Sequence, residues 1–359
     1  MTSLFDTHQL GRLTLPNRVV MAPMTRVRAA AGGLATPSMA TYYAQRASAG
    51  LIVSEGVQPN VVGQSNPGTP GLHTDEQVAS WRPVTEAVHT AGGRIFAQIM
   101  HGGRVSHHAT TGLQPVGPSA VALGADVFTP TGPAPAPEPR ALTTAEVPEQ
   151  ARSYAEAAAR AVDAGFDGVE LHGANGYLIA QFLSSNANVR TDAYGGSVTN
   201  RIRFAVEAVE ATVDAIGADR VGIRISPDAG IWNVRETEVE ELYGALLAAL
   251  APLGLAYLHL EATAAEDVLL GLRRAWPGTL VVNPVSPTSP QRAERAAADR
   301  WLGLGADLIS FGRAYIANPD LVERLRHDLP LAADDTATYY AGGDRGYVTY
   351  PTHEATPVG

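Results

Sequence analysis

The chain alternates eight times between a short apolar run and a longer stretch of helical periodicity. The apolar runs are Arg18–Met21, Leu51–Ser54, Arg94–Ile99, Gly168–His172, Arg220–Ser226, Ala256–Glu261, Thr279–Asn283 and Asp307–Phe311. Runs this short and this apolar read as strands buried on both faces. The helical segments lie near Thr36–Ala49, Asp75–Ala91, Thr144–Ala164, Asn200–Ile216, Glu236–Leu253, Ala265–Ala275, Pro290–Leu304 and Pro319–His327. Some open on an acidic turn, as at Thr74-Asp75-Glu76, and some are followed by glycine, as at Gly92 and Gly165. Helix starts and stops favour those residues. The alternation implies a parallel sheet, and eight units are the number that closes a (β/α)8 TIM barrel of about 250 residues.

A chain of 359 residues leaves a surplus beyond such a barrel. It falls into an N-terminal segment, an insertion after the third strand near Ser106–Arg140, and a C-terminal tail, all within one domain spanning 1–359. The insertion is rich in Pro and Gly, stiffest over Pro133–Pro139. A linker between domains would have that composition too. Because strand–helix units resume after it, we expect a loop covering the barrel mouth. The alternative architecture is an open doubly wound sheet, but no G-x-G-x-x-G follows a strand to open a helix.

Composition narrows the chemistry. With 26 Lys and Arg against 36 Asp and Glu, the net charge of -10 argues against a nucleic-acid partner. No cysteine is present, which excludes disulfides, thiolate metal sites, iron–sulfur clusters and a cysteine nucleophile. His101, His107 and His108 lie close in sequence without a carboxylate at ligand spacing, so no metal is expected. No leader pattern opens the chain, and Leu242–Leu260 is broken by Pro252 and Gly254 into a helix, a turn and a strand rather than a membrane span. A cytoplasmic protein is expected.

In a barrel of this kind function sits at the C-terminal ends of the strands. That rule nominates Ala22 to Thr25, Glu55 and Gly56, Gln98 and His101, His172 to Tyr177, Arg224, Glu261, Asn283, and Gly312 with Arg313. The most informative of these is His172-Gly173-Ala174-Asn175-Gly176-Tyr177-Leu178. His172 and Asn175 can donate hydrogen bonds, and Tyr177 carries a phenolic proton. Donors beside a proton source suit a reaction that builds charge on a substrate oxygen and protonates a neighbouring carbon. Read alone, the segment equally describes a turn bent by Asn and Gly. Arg224 interrupts the apolar run Val221–Ile225 and needs a partner, either a buried carboxylate or a ligand.

Six motifs carry a family resemblance. They are Asn17 to Thr25, Ala97 to Arg104, His172 to Leu178, Asp192-Ala193-Tyr194-Gly195-Gly196-Ser197, Asn200-Arg201, and Phe311 to Leu321. Together they resemble the Old Yellow Enzyme family of FMN-dependent ene-reductases on a TIM barrel, in order from about Leu4 to Pro351. The resemblance implies that Thr25 hydrogen-bonds the flavin O4, with Pro23 and Met24 holding the ring. A capping Thr after a strand is the plainer alternative. Thr rather than Cys at this place suggests the branch related to the yeast enzymes. Gln98 would meet the pyrimidine edge, Arg224 the N1/C2=O side, and Gly56 would let backbone approach the ring or simply make a turn. Gly312 and Arg313 would hold the phosphate. After the seventh strand the family has a glycine-rich turn, whereas this chain reads Asn283-Pro284-Val285-Ser286-Pro287. Either Asn283 and Ser286 stand in for it, or the phosphate has fewer contacts.

The resemblance further makes His172 and Asn175 the pair that binds the substrate's carbonyl or nitro oxygen. Tyr177 would protonate the α-carbon while flavin N5 delivers hydride to the β-carbon. Met100 stands where many relatives carry Trp, which implies a more adaptable pocket. Tyr340 resembles a pocket-lining tyrosine, with plain packing as the alternative. The implied activity is FMN-dependent, NAD(P)H-driven reduction of activated C=C bonds in enones and nitroalkenes, with small molecules as partners and a monomer or homodimer as the assembly. The alternatives are a non-catalytic or redox-responsive flavoprotein on the same barrel, and a flavin-free lyase or hydrolase. The latter would leave Thr25, Gln98 and Arg224 without a shared ligand.

Overall fold

The eight strands Val19–Met21, Leu51–Val57, Ile95–Ile99, Gly168–Gly173, Val221–Ile225, Tyr257–Glu261, Leu280–Asn283 and Leu308–Phe311 pair in parallel and close on themselves. The last strand returns to the first through Ile309↔Val19, Ser310↔Val20 and Phe311↔Met21. This computed structural model describes residues 2–284 and 294–353.

Side chains alternate across a strand, and here the alternation sorts chemistry. Outward-facing residues such as Val19, Ile52, Leu171, Ile223, Leu258, Val282 and Ile309 pack into the layer shared with the surrounding helices. The inward series changes character along the barrel axis. At the N-terminal end it is apolar, with Val20, Leu51, Phe96, Tyr257, Val281 and Leu308 packed on Leu10 and Leu15. Those two leucines come from the antiparallel hairpin His8–Leu10 and Leu13–Leu15, which plugs that end. One step further along each strand the inward residues are Gln98, Glu170, His172, Arg224, His259, Glu261, Asn283 and Ser310, all buried. The barrel therefore has an oily floor and a polar upper layer.

The expected helices form at the barrel's outer face with small shifts of boundary. Asp75–Thr90 starts on a capping box in which Thr74 accepts from the Gln77 N–H and the Gln77 side chain returns to the cap backbone. The first helix stops early, spanning Pro37–Ala44, and Glu236–Leu253 resolves into Val239–Leu250 followed by a 3-10 turn. The helix expected from Pro290 is Arg295–Gly303, its first residues lying outside the described ones. Leu178–Leu183 and Arg313–Ala317 are helices the sequence reading did not mark. Among the described residues, no helix is long and apolar enough to cross a membrane.

The insertion does cover the mouth, but not as a plain loop. It holds an antiparallel hairpin, Asp126–Thr129 with Gly132–Pro135, in which Phe128 faces Pro133. Val127 packs on Val105 and Leu123, with Tyr177 and Trp232 against them. From the opposite side the tail brings Tyr340 to within 6.0 Å of the Phe128 ring.

Candidate active site

A cavity of about 670 Å³ opens at the C-terminal mouth of the barrel. Among the residues lining it are Pro23, Met24, Thr25, Gln98, Met100, Arg224, His172, Asn175, Tyr177, Asn283, Gly312 and Arg313. Tyr340 and Phe128 stand at the rim, each about half exposed. Gly56 does not line the cavity. A Cβ there would sit 2.7 Å from Met100 Sδ, so this glycine makes room for the Met100 side chain, which does line it.

Register explains how residues far apart in sequence meet. Glu170 lies beside Gln98, His172 beside Arg224, Arg224 beside His259, and Glu261 beside Asn283. Beneath the cavity this makes a chain of hydrogen bonds. Gln98 Nε2 donates to Glu170 Oε1 at 2.8 Å, and the other Glu170 oxygen is 2.8 Å from His259 Nδ1. A carboxylate only accepts, so the His259 proton is on Nδ1 and its Nε2 accepts from Ser310 Oγ at 2.8 Å. Ser310 Oγ in turn accepts from Asn283 Nδ2 at 3.0 Å. Burial alone would raise Glu170, but His259, Arg224 and Gln98 together hold it below the usual range.

The same logic fixes His172. Gln98 must present its amide nitrogen to Glu170, and that nitrogen also reaches His172 Nδ1 at 3.4 Å. Nδ1 therefore accepts, and the imidazole proton sits on Nε2, free to meet a ligand. Burial, followed by the positive charge of Arg224, pushes the His172 pKa down to about 3, so the ring is neutral. Asn175 sits on the turn after the strand with a left-handed backbone, φ 55, and its N–H is held by Ser226 Oγ at 2.8 Å. Gly176 follows at φ 74, where a Cβ would strike the Ile231 carbonyl at 2.5 Å. Only glycine lets these two loops touch.

Tyr177 is partly buried among apolar neighbours, and that desolvation lifts its pKa to about 12 against the opposing hydrogen bond from Trp232. The Trp232 loop is itself pinned from below, since Arg104 Nη2 donates to the Trp232 and Asn233 carbonyls at 3.2 and 3.0 Å. Val27, Asn175 and Trp232, all lining the cavity, have positive φ. Such backbone costs of order 1–3 kcal/mol per residue and concentrates at functional sites.

Arg224 has the carboxylate partner expected of a buried charge, with part of its guanidinium left over. Its Nη2 donates to Glu261 Oε2 at 3.0 Å, while its Nε is buried without a hydrogen-bond partner. Glu170, His259, Ser310 and Trp232 were not among the residues singled out from sequence. The signal for the first three was available, because each falls on the inward register of its strand. The turn Val285 to Pro287, with Ser286, lies outside the described residues.

Comparison with known proteins agrees with this geometry. A model of the NADH:flavin oxidoreductase / NADH oxidase family matches residues 3–332. Chanoclavine-I aldehyde reductase of Penicillium roqueforti is 40% identical, over 98% of this chain and 96% of that one. 12-Oxophytodienoate reductase 2 of Arabidopsis thaliana is 38% identical with the same two shares. Morphinone reductase in complex with tetrahydroNAD superposes with a TM-score of 0.92 at 42% identity, covering 99% of this chain and 98% of that one. The Old Yellow Enzyme homologue from Zymomonas mobilis superposes at 0.91 with 39% identity, covering 98% and 100%.

Proposed function

The chain belongs to the NADH:flavin oxidoreductase / NADH oxidase family, that of Old Yellow Enzyme, and on that premise we propose that it reduces activated C=C bonds of α,β-unsaturated carbonyl and nitro compounds. FMN is the cofactor and a reduced nicotinamide the hydride donor. The residues present fit that cofactor. The cavity has the volume for a ligand of this class, and the orphaned Arg224 Nε is a buried donor that a ring carbonyl or an anionic ring edge would satisfy.

Bound FMN supplies hydride to the substrate β-carbon. The remaining work falls to the side chains. His172 Nε2 and Asn175 Nδ2 are neutral donors that bind the substrate oxygen and stabilise the charge growing on it. Tyr177, kept protonated by burial, donates its phenolic proton to the α-carbon. Pro23, Met24, Thr25 and Gln98 position the ring, Gly312 and Arg313 take the phosphate, and Phe128, Trp232 and Tyr340 limit water at the mouth. Thr25 supports placing the chain in the branch related to the yeast enzymes. The acidic, cysteine-free composition supports a cytoplasmic enzyme, monomeric or homodimeric, drawing on NADH or NADPH.

The observation that carries this reading is the convergence of His172, Asn175 and Tyr177 on one cavity beside Arg224. Purified protein should be yellow, release FMN on denaturation, bleach with a reduced nicotinamide and regain colour with cyclohexenone. Colourless protein from which no flavin can be released overturns the proposal. A yellow protein that bleaches but does not turn over cyclohexenone would instead be the non-catalytic flavoprotein.

A further inference from the structure

Glu261 ends the sixth strand with its side chain wholly buried, and one of its oxygens serves two residues of the site. Oε2 accepts from Asn175 Nδ2 at 3.0 Å and from Arg224 Nη2 at 3.0 Å. Oε1 is buried with no hydrogen-bond partner, as is Arg224 Nε. The pair is thus single-pronged where a guanidinium and a carboxylate could engage twice. An unpaired buried carboxylate oxygen is costly, which points to a role other than holding the fold together. Glu170, the other buried acid of this layer, makes the contrast, since both its oxygens are partnered.

We propose that Glu261 is a positioning residue that couples the two halves of the site, orienting the Asn175 amide toward substrate and offsetting the charge that Arg224 brings to the flavin. This rests on the function proposed above. A carboxylate is acceptor-only, so Asn175 has to turn its NH2 group, not its carbonyl, toward Glu261. One N–H is used there and the second stays available on the cavity side for the substrate oxygen. A cation near the N1/C2=O side of a flavin favours the anionic reduced ring and raises its potential. The negative charge 3.0 Å from Arg224 Nη2 counters that effect in a site of low effective dielectric. A single acid therefore sets both how firmly the substrate oxygen is gripped and how strongly the cofactor reduces.

The test uses the flavin-loaded protein and its Glu261→Gln and Glu261→Asp variants. FMN content and Tm establish that each is folded, and the flavin midpoint potential and the kcat and KM for cyclohexenone are then compared. Glu261→Gln should raise the potential, because Arg224 is left uncompensated. It should also raise KM about tenfold, because an amide can pair with Asn175 in either orientation. Glu261→Asp keeps the charge on a shorter arm, so its potential should stay near that of the parent while KM still rises. A folded, loaded Glu261→Gln protein with an unchanged potential or an unchanged KM overturns the coupling. So does an Asp variant whose potential moves as far as that of the Gln variant. If Glu261→Gln does not load flavin, the Asp variant decides alone by the same two readouts. Failure of the underlying function would show separately, as an unsubstituted protein without flavin or without cyclohexenone turnover.

Discussion

The rings of His172 and Tyr177 lie 5.1 Å apart, tilted by 45°, and burial moves their proton affinities in opposite directions. Loss of water disfavours the charged form of each, so the imidazole falls to about 3 and the phenol rises to about 12. Both groups are thereby fixed as neutral donors over the whole physiological range. The imidazole proposed to bind the substrate oxygen stays neutral, and the phenol proposed as the acid keeps its proton.

The enone-reducing half-reaction should accordingly carry no ionisation from either residue between about pH 5 and 9. Stopped-flow re-oxidation of reduced enzyme by cyclohexenone across that window should give a level rate. A bell-shaped profile that disappears on replacing His172 with Asn would show that the imidazole titrates after all.

Replacing Tyr177 with Phe removes the proton and keeps the ring. Flavin reduction by nicotinamide should be unaffected, while enone turnover falls by about 10²–10⁴, the usual worth of a positioned acid. Nitroalkenes, whose reduced anions are stable enough to take a proton from water, should lose much less. Equal losses for the two substrate classes would place the proton source elsewhere.

How far the sequence could be read follows from which physical signals are local. The eight strands were legible because each is a compact apolar run with its polar residues on one register. That His172, Asn175 and Tyr177 would meet at one cavity was legible because those residue types crowd a strand end. Glu170 and His259 were not singled out, although both lie buried on the inward register of their strands. The hairpin in the insertion was not legible in the sequence, where Pro133 and Pro135 remove ladder donors. Proline is tolerated at the edge of a two-stranded sheet, and sequence alone does not say that this strand is one. Trp232 gave no signal at all, since its contact with Tyr177 depends on a left-handed turn after the fifth strand.

Glu55 offers a stability test independent of turnover. It is fully buried on the second strand with Oε2 unpartnered, and burial raises its pKa from 4.5 to about 7. A carboxyl raised in this way holds its proton more tightly when folded. The stability it lends is therefore complete below about pH 4.5 and is lost as pH climbs through about 7. The difference between those two values amounts to on the order of 3 kcal/mol. Glu55→Gln should flatten the dependence of Tm on pH across that interval, and an unchanged slope would locate the effect in another group.

The chain contains neither cysteine nor lysine, all its cationic side chains other than histidine being arginine. Enones and enals alkylate thiolates and amines, so the enzyme lacks both side chains that its own substrates attack most readily. Four of its ten imidazoles, those of His101, His107, His172 and His259, are buried. Hours in excess acrolein should leave the intact mass nearly unchanged, with adducts confined to exposed histidines and the chain terminus. Stoichiometric modification accompanied by loss of activity would contradict this.

The tail that carries Tyr340 over the mouth is held by arginines as well as by the packing of Tyr347 on Tyr42. Arg28 donates to the carbonyls of Tyr339, Thr338 and Gly343 at 3.1, 2.8 and 3.0 Å. Arg26 adds bonds to Tyr339 and Gly346 at 3.1 and 3.0 Å. Both residues lie just after Met24 and Thr25, which line the cavity, so the rim is braced against the cavity wall. Arg28 is the more accessible of the two, and its bonds can be removed without opening the core. Arg28→Ala should leave Tm within a few degrees of the parent and sharply increase protease cleavage between Thr338 and Gly346. KM should rise for bulky enones that reach Tyr340 and Phe128, and stay nearly constant for cyclohexenone, which does not fill the rim. A uniform rise for both substrates would mean that the arginine acts on the cavity wall at Met24 and Thr25 instead of on the tail.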